Sequence, residues 1–154
     1  MSEIVWALNH RNDTLPSLAA YIRRYTSGFF EDTGIRCLFD IPDDLPNAPL
    51  TGEIRRNIFL VVKETLHNTL KHAGAGRVEI TFAVNHHELI IQIADNGKGF
   101  DQKTISKAGN GLINMKNRMT TEGGDYELES EPGKGTITRL TLPLRQEEKA
   151  VMAA

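Results

Sequence analysis

The stretch Glu64-Thr65-Leu66-His67-Asn68-Thr69-Leu70-Lys71-His72-Ala73-Gly74-Ala75-Gly76-Arg77-Val78-Glu79-Ile80-Thr81-Phe82-Ala83-Val84 changes period part-way along. Up to Ala73 it reads as the end of a helix. Glu64, Asn68, Lys71 and His72 stand at i, i+4, i+7 and i+8, within roughly a quarter-turn of one another at about 100° per residue. Ile58, Val62, Leu66, Thr69 and Ala73 fall on the opposite side, so one face packs on a core and the other carries four polar groups. Gly74 and Gly76 end the helix. From Val78 the period is two: Val78, Ile80, Phe82 and Val84 alternate with Glu79 and Thr81, as a half-buried strand does. A turn at Asn85-His86-His87 and a second strand, Glu88 to Ala94, complete a hairpin.

Working outward, the helix extends back to about Thr51. An earlier helix is expected over Leu15 to Phe30, where Leu15, Leu18, Ala19, Ile22, Tyr25, Thr26 and Phe29 recur at helical spacing. Asp13 or Thr14 is its N-cap, and Pro16 is tolerated in its first turn. A short strand, Arg36 to Ile41, and a Pro-rich stretch, Pro42 to Pro49, lie between the two helices. Downstream, a glycine-studded segment runs from Asp95 to Gly111. A helix follows from about Leu112 to Glu122, stopped by Gly123-Gly124. Strands Asp125 to Ser130 and Gly135 to Leu144 flank the turn Glu131-Pro132-Gly133-Lys134. This order predicts an α+β fold: a two-layer α/β sandwich with helices on one face of a mixed β-sheet.

A chain of 154 residues is one domain by default, and can bury about two thirds of its unfolded surface. With 40% hydrophobic and 25% charged residues it has the composition of an ordinary globular domain. A net charge of −2 gives no reason to expect nucleic acid or direct contact with an anionic membrane, so any bound anion must be held by local groups. Cys37 is the only cysteine and reads as a core thiol in a reducing compartment. Met1-Ser2-Glu3 does not read as a signal peptide, and no apolar run is long enough to span a membrane. A cytoplasmic location is expected, compatible with a parent protein anchored in a membrane through other segments.

Two sets of residues carry chemistry. On the long helix, Asn68 offers a carbonyl oxygen of the kind Mg²⁺ takes alongside phosphate oxygens and waters. Lys71 and His72 could neutralise phosphate, and Glu64 could order a water or take a proton. The alternative is a solvated face laced by Glu64 to Lys71 or Asn68 to His72, and spacing alone does not choose between them. In the glycine-rich segment, Asp95-Asn96-Gly97-Lys98-Gly99-Phe100 ends a strand, where an aspartate can accept a hydrogen bond from an exocyclic amine such as that of adenine. Gly109-Asn110-Gly111 precedes a helix whose free N–H groups suit phosphate, and residues 101–108 between them could close as a lid. A plain turn and a plain helix entry would read the same. Neither the Walker loop nor the dinucleotide fingerprint occurs.

Together these segments resemble the catalytic ATP-binding domain of sensor histidine kinases, within the superfamily that includes gyrase, Hsp90, histidine kinases and MutL. Glu64 to Ala73 resembles the N box and Asp95 to Phe100 the first glycine box. Gly109-Asn110-Gly111-Leu112, running into Asn114-Met115-Lys116-Asn117-Arg118, resembles the second, and Gly133-Lys134-Gly135-Thr136 the closing segment before Leu142-Pro143-Leu144. Order and spacing agree over about residues 50–145, and the helix after the second box is most similar to the nitrate/nitrite-sensor-like subfamily. The resemblance implies a Bergerat-type fold and ATP with Mg²⁺ as cofactors. It implies Asn68 as metal ligand, Glu64 at the acidic position, and Lys71 and His72 facing the phosphates. It also implies Asp95 on the adenine amine with Gly97 and Gly99 shaping the base pocket, Gly109, Gly111 and Leu112 at the phosphate end, and Thr136 beside the adenine.

The resemblance further implies a phosphoacceptor histidine on a dimeric helical hairpin, and relay to an aspartate of a response regulator. No such hairpin is legible here. His87-Glu88 matches the acceptor dipeptide but lies in a strand turn, His10 is followed by Arg11, and His67 points sideways from its helix. The expected division is a linker over 1–13, the ATP-binding domain over 14–145 and a flexible tail over 146–154. The isolated domain is expected to be a monomer and the full-length protein a homodimer. An anti-sigma-factor serine kinase, or a nucleotide-binding regulator without transfer activity, is the alternative on the same fold.

Overall fold

The computed structural model describes residues 14–101 and 111–144. Three helices and five strands follow one another as α1 (Leu15–Phe29), β1 (Arg36–Asp40), α2 (Gly52–Asn68), β2 (Arg77–Asn85), β3 (Glu88–Asp95), α3 (Gly111–Thr121), β4 (Asp125–Ser130) and β5 (Thr136–Pro143). The strand order in the sheet is β1-β2-β3-β5-β4. β1 runs parallel to β2, and the other three pairings are antiparallel. Parallel neighbours need a long crossover, and α2 lies in the connection between β1 and β2. The expected α+β sandwich on a mixed sheet is the architecture found.

Period two decides which sheet face is covered. Val78, Ile80 and Phe82 of β2, Leu89, Ile91 and Ile93 of β3, and Leu140 and Leu142 of β5 are buried against Leu15, Leu18 and Ile22 of α1 and Ile58, Val62 and Leu66 of α2. Residues of the opposite parity face away from the helices: Glu79 and Glu127 are exposed, and Arg139 reaches Gln92 at 3.1 Å and Glu127 at 3.4 Å across three strands. The β2–β3 turn is made by His86 and His87, both left-handed at φ 53° and 63°, the backbone that a two-residue hairpin with right-handed twist requires. His87 thus occupies the hairpin turn that its sequence context predicted.

Helix starts follow their caps. Of the two cap candidates for α1, Thr14 is the one used: its Oγ1 accepts the Ser17 N–H, with Pro16 in the first turn. At α2 the Thr51 Oγ1 accepts the Ile54 N–H at 3.2 Å, and Glu53 stands in the positive first turn. Thr51→Ala is expected to cost about 1 kcal/mol of stability in urea denaturation, with nucleotide affinity unchanged. α3 is held beside α2 by Asn57, which is buried, donates to Glu122 Oε2 and accepts from Arg118 at 3.2 Å. The expected linker 1–13 and tail 146–154 lie outside the described residues.

Candidate functional site

The long helix does not run as one α-helix to Ala73. After Asn68 it widens into a π-helical segment, Thr69–Ala73, closed by Gly74 at φ 60°. Two threonines lead into it by back-bonding: Thr65 donates to the Val61 carbonyl at 2.8 Å and Thr69 to the Thr65 carbonyl at 3.2 Å. A wider turn needs more residues to come round. The fourth residue after Asn68, His72, therefore returns above Asn68, and the third, Lys71, falls short of it. Glu64, Asn68 and His72 line one cavity, whereas Lys71 is exposed and is not among its lining residues. Thr69, placed by α-helical spacing on the core side, is buried and also lines the cavity, because the same widening turns it toward β3.

Asp95, the last residue of β3, meets it there. Its Oδ1 accepts the Gly97 N–H at 2.9 Å, and its Oδ2 lies 3.4 Å from the Thr69 hydroxyl, whose single proton it shares with the Thr65 carbonyl. Burial raises its pKa above the ordinary carboxylate value, and the bonds from Gly97, Thr69 and the Thr136 backbone oppose this only in part. Asn96 turns the chain away, its Oδ1 accepting the N–H groups of Gly76 and Arg77. Gly99 sits at φ 65°, where a Cβ would stand 2.1 Å from the Glu131 carbonyl oxygen. The first glycine cluster is therefore pressed onto the β4–β5 turn, where Gly133 N–H also reaches the Lys98 carbonyl at 2.6 Å.

The cavity holds about 470 Å³, within the size range of small-molecule sites. α2 and its π segment form one wall with Glu64, Thr65, Asn68, Thr69 and His72, and β3 contributes Asp95. Gly99 closes one edge, Gly111 and Leu112 stand at the start of α3, and Thr136 and Thr138 of β5 lie along the sheet. Eight of the predicted residues are thus brought together: Glu64, Asn68, His72, Asp95, Gly99, Gly111, Leu112 and Thr136. Gly97 holds Asp95 from below without lining the cavity. Gly109 and all of the proposed lid over 101–108 but Asp101 lie outside the described residues.

With this geometry, a comparison of families is decisive. Residues 53–146 match the family described as histidine kinase-, DNA gyrase B-, and HSP90-like ATPase. The chain belongs to this ATPase family. Membership implies ATP as the ligand, and every lining residue of the cavity just described lies within the matched residues. The sensor histidine kinase LiaS of Bacillus subtilis (strain 168) is 32% identical over 110 residues, covering 71% of this chain and 31% of that protein. The signal transduction histidine-protein kinase/phosphatase DegS of Brevibacillus brevis is 33% identical over 127 residues, covering 82% of this chain and 32% of that protein. The chain therefore spans about a third of the length of these curated relatives. Among solved structures, the blue-light activated histidine kinase of Erythrobacter litoralis superposes with a TM-score of 0.69 at 25% identity, over 86% of this chain and 43% of that one.

Several residues of this cavity and its floor were given no role from sequence. Ser130, at the end of β4, accepts the Phe100 N–H at 2.9 Å, donates to the Gly135 carbonyl at 3.0 Å and lies 2.9 Å from the Thr136 hydroxyl, so one side chain joins the first glycine cluster to β5. Gly135, at φ 77°, lies so close to Asp95 that a Cβ would stand 2.2 Å from its carbonyl oxygen. Met115, Tyr126 and Leu128 line the cavity from α3 and β4. The pattern of glycine and serine in Ser130-Glu131-Pro132-Gly133-Lys134-Gly135 marks a turn; only the fold shows that this turn is the floor on which Asp95 rests.

Proposed function

We propose that this chain is the ATP-binding catalytic part of a sensor histidine kinase, passing the γ-phosphate to a histidine on a separate helical hairpin, from which it moves to an aspartate of a response regulator. One observation carries the reading: a half-buried carboxylate, Asp95, and the polar stripe Glu64-Asn68-His72 open into a single cavity. Asp95 accepts the adenine amine. Glu64 stands five residues before Thr69, more than one helical turn away from Asp95, which separates the base end from the reacting end.

Asn68 is half-buried in the cavity wall and offers one hard oxygen donor. Among the described residues no group of three or more His, Cys, Asp or Glu side chains could cage a metal. That donor set fits Mg²⁺ arriving with the nucleotide, held by Asn68 and phosphate oxygens and keeping its waters. Mg²⁺ would supply neutralisation of the phosphate charge. His72 faces the phosphates, Lys71 reaches them only from the rim, and the first N–H groups of α3 at Gly111 and Leu112 receive phosphate oxygens. Glu64 orders the acceptor or takes its proton. Catalysis then rests on positioning and charge neutralisation. The acceptor hairpin and the response regulator are the partners, the full-length kinase a homodimer in the cytoplasm or at its membrane.

The test is calorimetric titration of an ATP analogue with and without Mg²⁺. Binding is expected to tighten with Mg²⁺, and Asn68→Ala to lose that gain, about tenfold or more, while its Mg²⁺-free affinity stays near that of the unchanged chain. Labelled ATP with a purified hairpin domain should then give an acid-labile phosphohistidine. An acid-stable phosphoserine on a partner protein would instead assign the anti-sigma-factor kinase activity.

A further inference from the structure

The cavity contains one buried hydroxyl that the fold answers only weakly. Tyr126 stands on β4 beneath α3, is only 5% exposed, and lines the cavity. Its hydroxyl is buried, and Thr138 of β5 is near enough to act on it as a hydrogen-bond partner, but among the described residues none makes a hydrogen bond of full geometry with it. Buried hydroxyls ordinarily have partners, because an unmade bond forfeits the hydration the group had in the unfolded chain. Packing alone does not ask for the hydroxyl either. Leu128, Leu140 and Leu142 fill nearby positions on the same sheet face, and a phenylalanine ring would fill this one.

The surroundings say what the hydroxyl can do. The groups that act on it are Thr138 of β5 and Glu64 of α2, and both line the same cavity. Burial, opposed by the weak hydrogen bond from Thr138 and reinforced by the Glu64 charge, pushes the phenol up to about 12. At neutral pH it is therefore an uncharged donor. The carboxylates of this cavity, Glu64 and Asp95, accept hydrogen bonds. A nucleotide is rich in acceptors (phosphate oxygens, sugar oxygens and ring nitrogens), so a site for it needs side-chain donors as well, and Tyr126 supplies one.

We propose that Tyr126 is a ligand-contacting residue of this site, its hydroxyl donating a hydrogen bond to the bound nucleotide on the side of the cavity shared by Glu64 and Thr138. The proposal rests on the nucleotide reading above. It makes Tyr126 part of the recognition surface, where period and burial alone would class it with the apolar core.

Tyr126→Phe keeps the ring and removes only the donor. Titration of an ATP analogue into both chains, with thermal melting of each without ligand, tests the proposal. The variant is expected to bind about fivefold to tenfold more weakly. Its ligand-free melting temperature should be equal or slightly higher, because a weakly answered buried hydroxyl has gone. Equal affinity in a chain that binds the analogue overturns this proposal alone and leaves the nucleotide reading standing. A ligand-free melting temperature that falls assigns the hydroxyl to the fold and overturns it too. If the unchanged chain does not bind the analogue, the nucleotide reading fails and this inference with it.

Discussion

Asp95→Asn is expected to weaken binding of an ATP analogue by about a hundredfold and at the same time to raise the melting temperature of the ligand-free chain. The two effects have one cause. Burial raises the Asp95 pKa, so the folded chain bears a cost for holding this carboxylate ionised, and the bonds from Gly97, Thr69 and Thr136 offset only part of it. An asparagine keeps the oxygen that accepts the Gly97 N–H and puts its NH₂ where Oδ2 was. There it can donate to the Thr69 hydroxyl, whose own proton already reaches the Thr65 carbonyl. The ligand-free chain then carries no half-buried charge at this position. When the nucleotide enters, the adenine amine meets a donor instead of an acceptor, and a charge-assisted bond of about 1.5–3 kcal/mol is replaced by a clash of like partners.

The same pKa sets opposite pH trends for stability and binding. The folded state holds the Asp95 proton more tightly than the unfolded state does at the ordinary value of 3.8. This group's contribution to stability is therefore flat above its raised pKa and grows as the pH falls from there toward 3.8. Nucleotide affinity falls over that window, because the protonated carboxyl no longer accepts the amine. Affinity and melting profiles measured together from neutral pH into mild acid should cross in this way, and both trends should flatten in Asp95→Asn. An affinity that holds constant as the pH falls would remove Asp95 from the recognition of the base.

How much of this was legible in the sequence depends on the range of the interaction. The hairpin was legible because Val78, Ile80 and Phe82 alternate with polar residues, and alternation survives any tertiary arrangement that buries one face. Asn68 and Glu64 share one helix face, as their spacing predicts, and line the same cavity, because they precede the point where the helix changes type. That Thr69, buried as its spacing predicts, also lines the cavity and that Lys71 does not was illegible: a π segment is set by local back-bonding and by what the turn packs on, and a 3.6-residue period assumes it away. Ser130 and Gly135 were missed for a different reason. Their partners, Phe100 and Asp95, are 30 and 40 residues earlier, and a glycine that a turn requires looks the same in sequence as one that a neighbouring strand requires. Tyr126 reads as one more large residue in a strand, and only its weakly answered hydroxyl in a lined cavity sets it apart.

That last distinction between glycines gives the second large effect. Gly133 and Gly135 flank Lys134 in one turn, at φ 82° and 77°, so an alanine at either pays the same backbone penalty, about 1 kcal/mol. A Cβ on Gly133 meets nothing within 4 Å, whereas on Gly135 it stands 2.2 Å from the Asp95 carbonyl oxygen. That oxygen belongs to β3 where it is paired on both sides, with Val78 of β2 and Thr136 of β5, and no flexible side-chain end can give way. Gly133→Ala is thus expected to lose about 1 kcal/mol in urea denaturation, and Gly135→Ala about 3–4 kcal/mol. Whatever relieves the clash must move β5 from the end of β3, and Asp95 with it. Gly135→Ala should therefore lose nucleotide affinity even under conditions where it is fully folded, and Gly133→Ala should keep it. Equal stability of the two variants would mean that the turn can slide off Asp95 without cost. In that case Asp95 would be held by Gly97 and Thr69 alone, and the β4–β5 turn would be no part of the site.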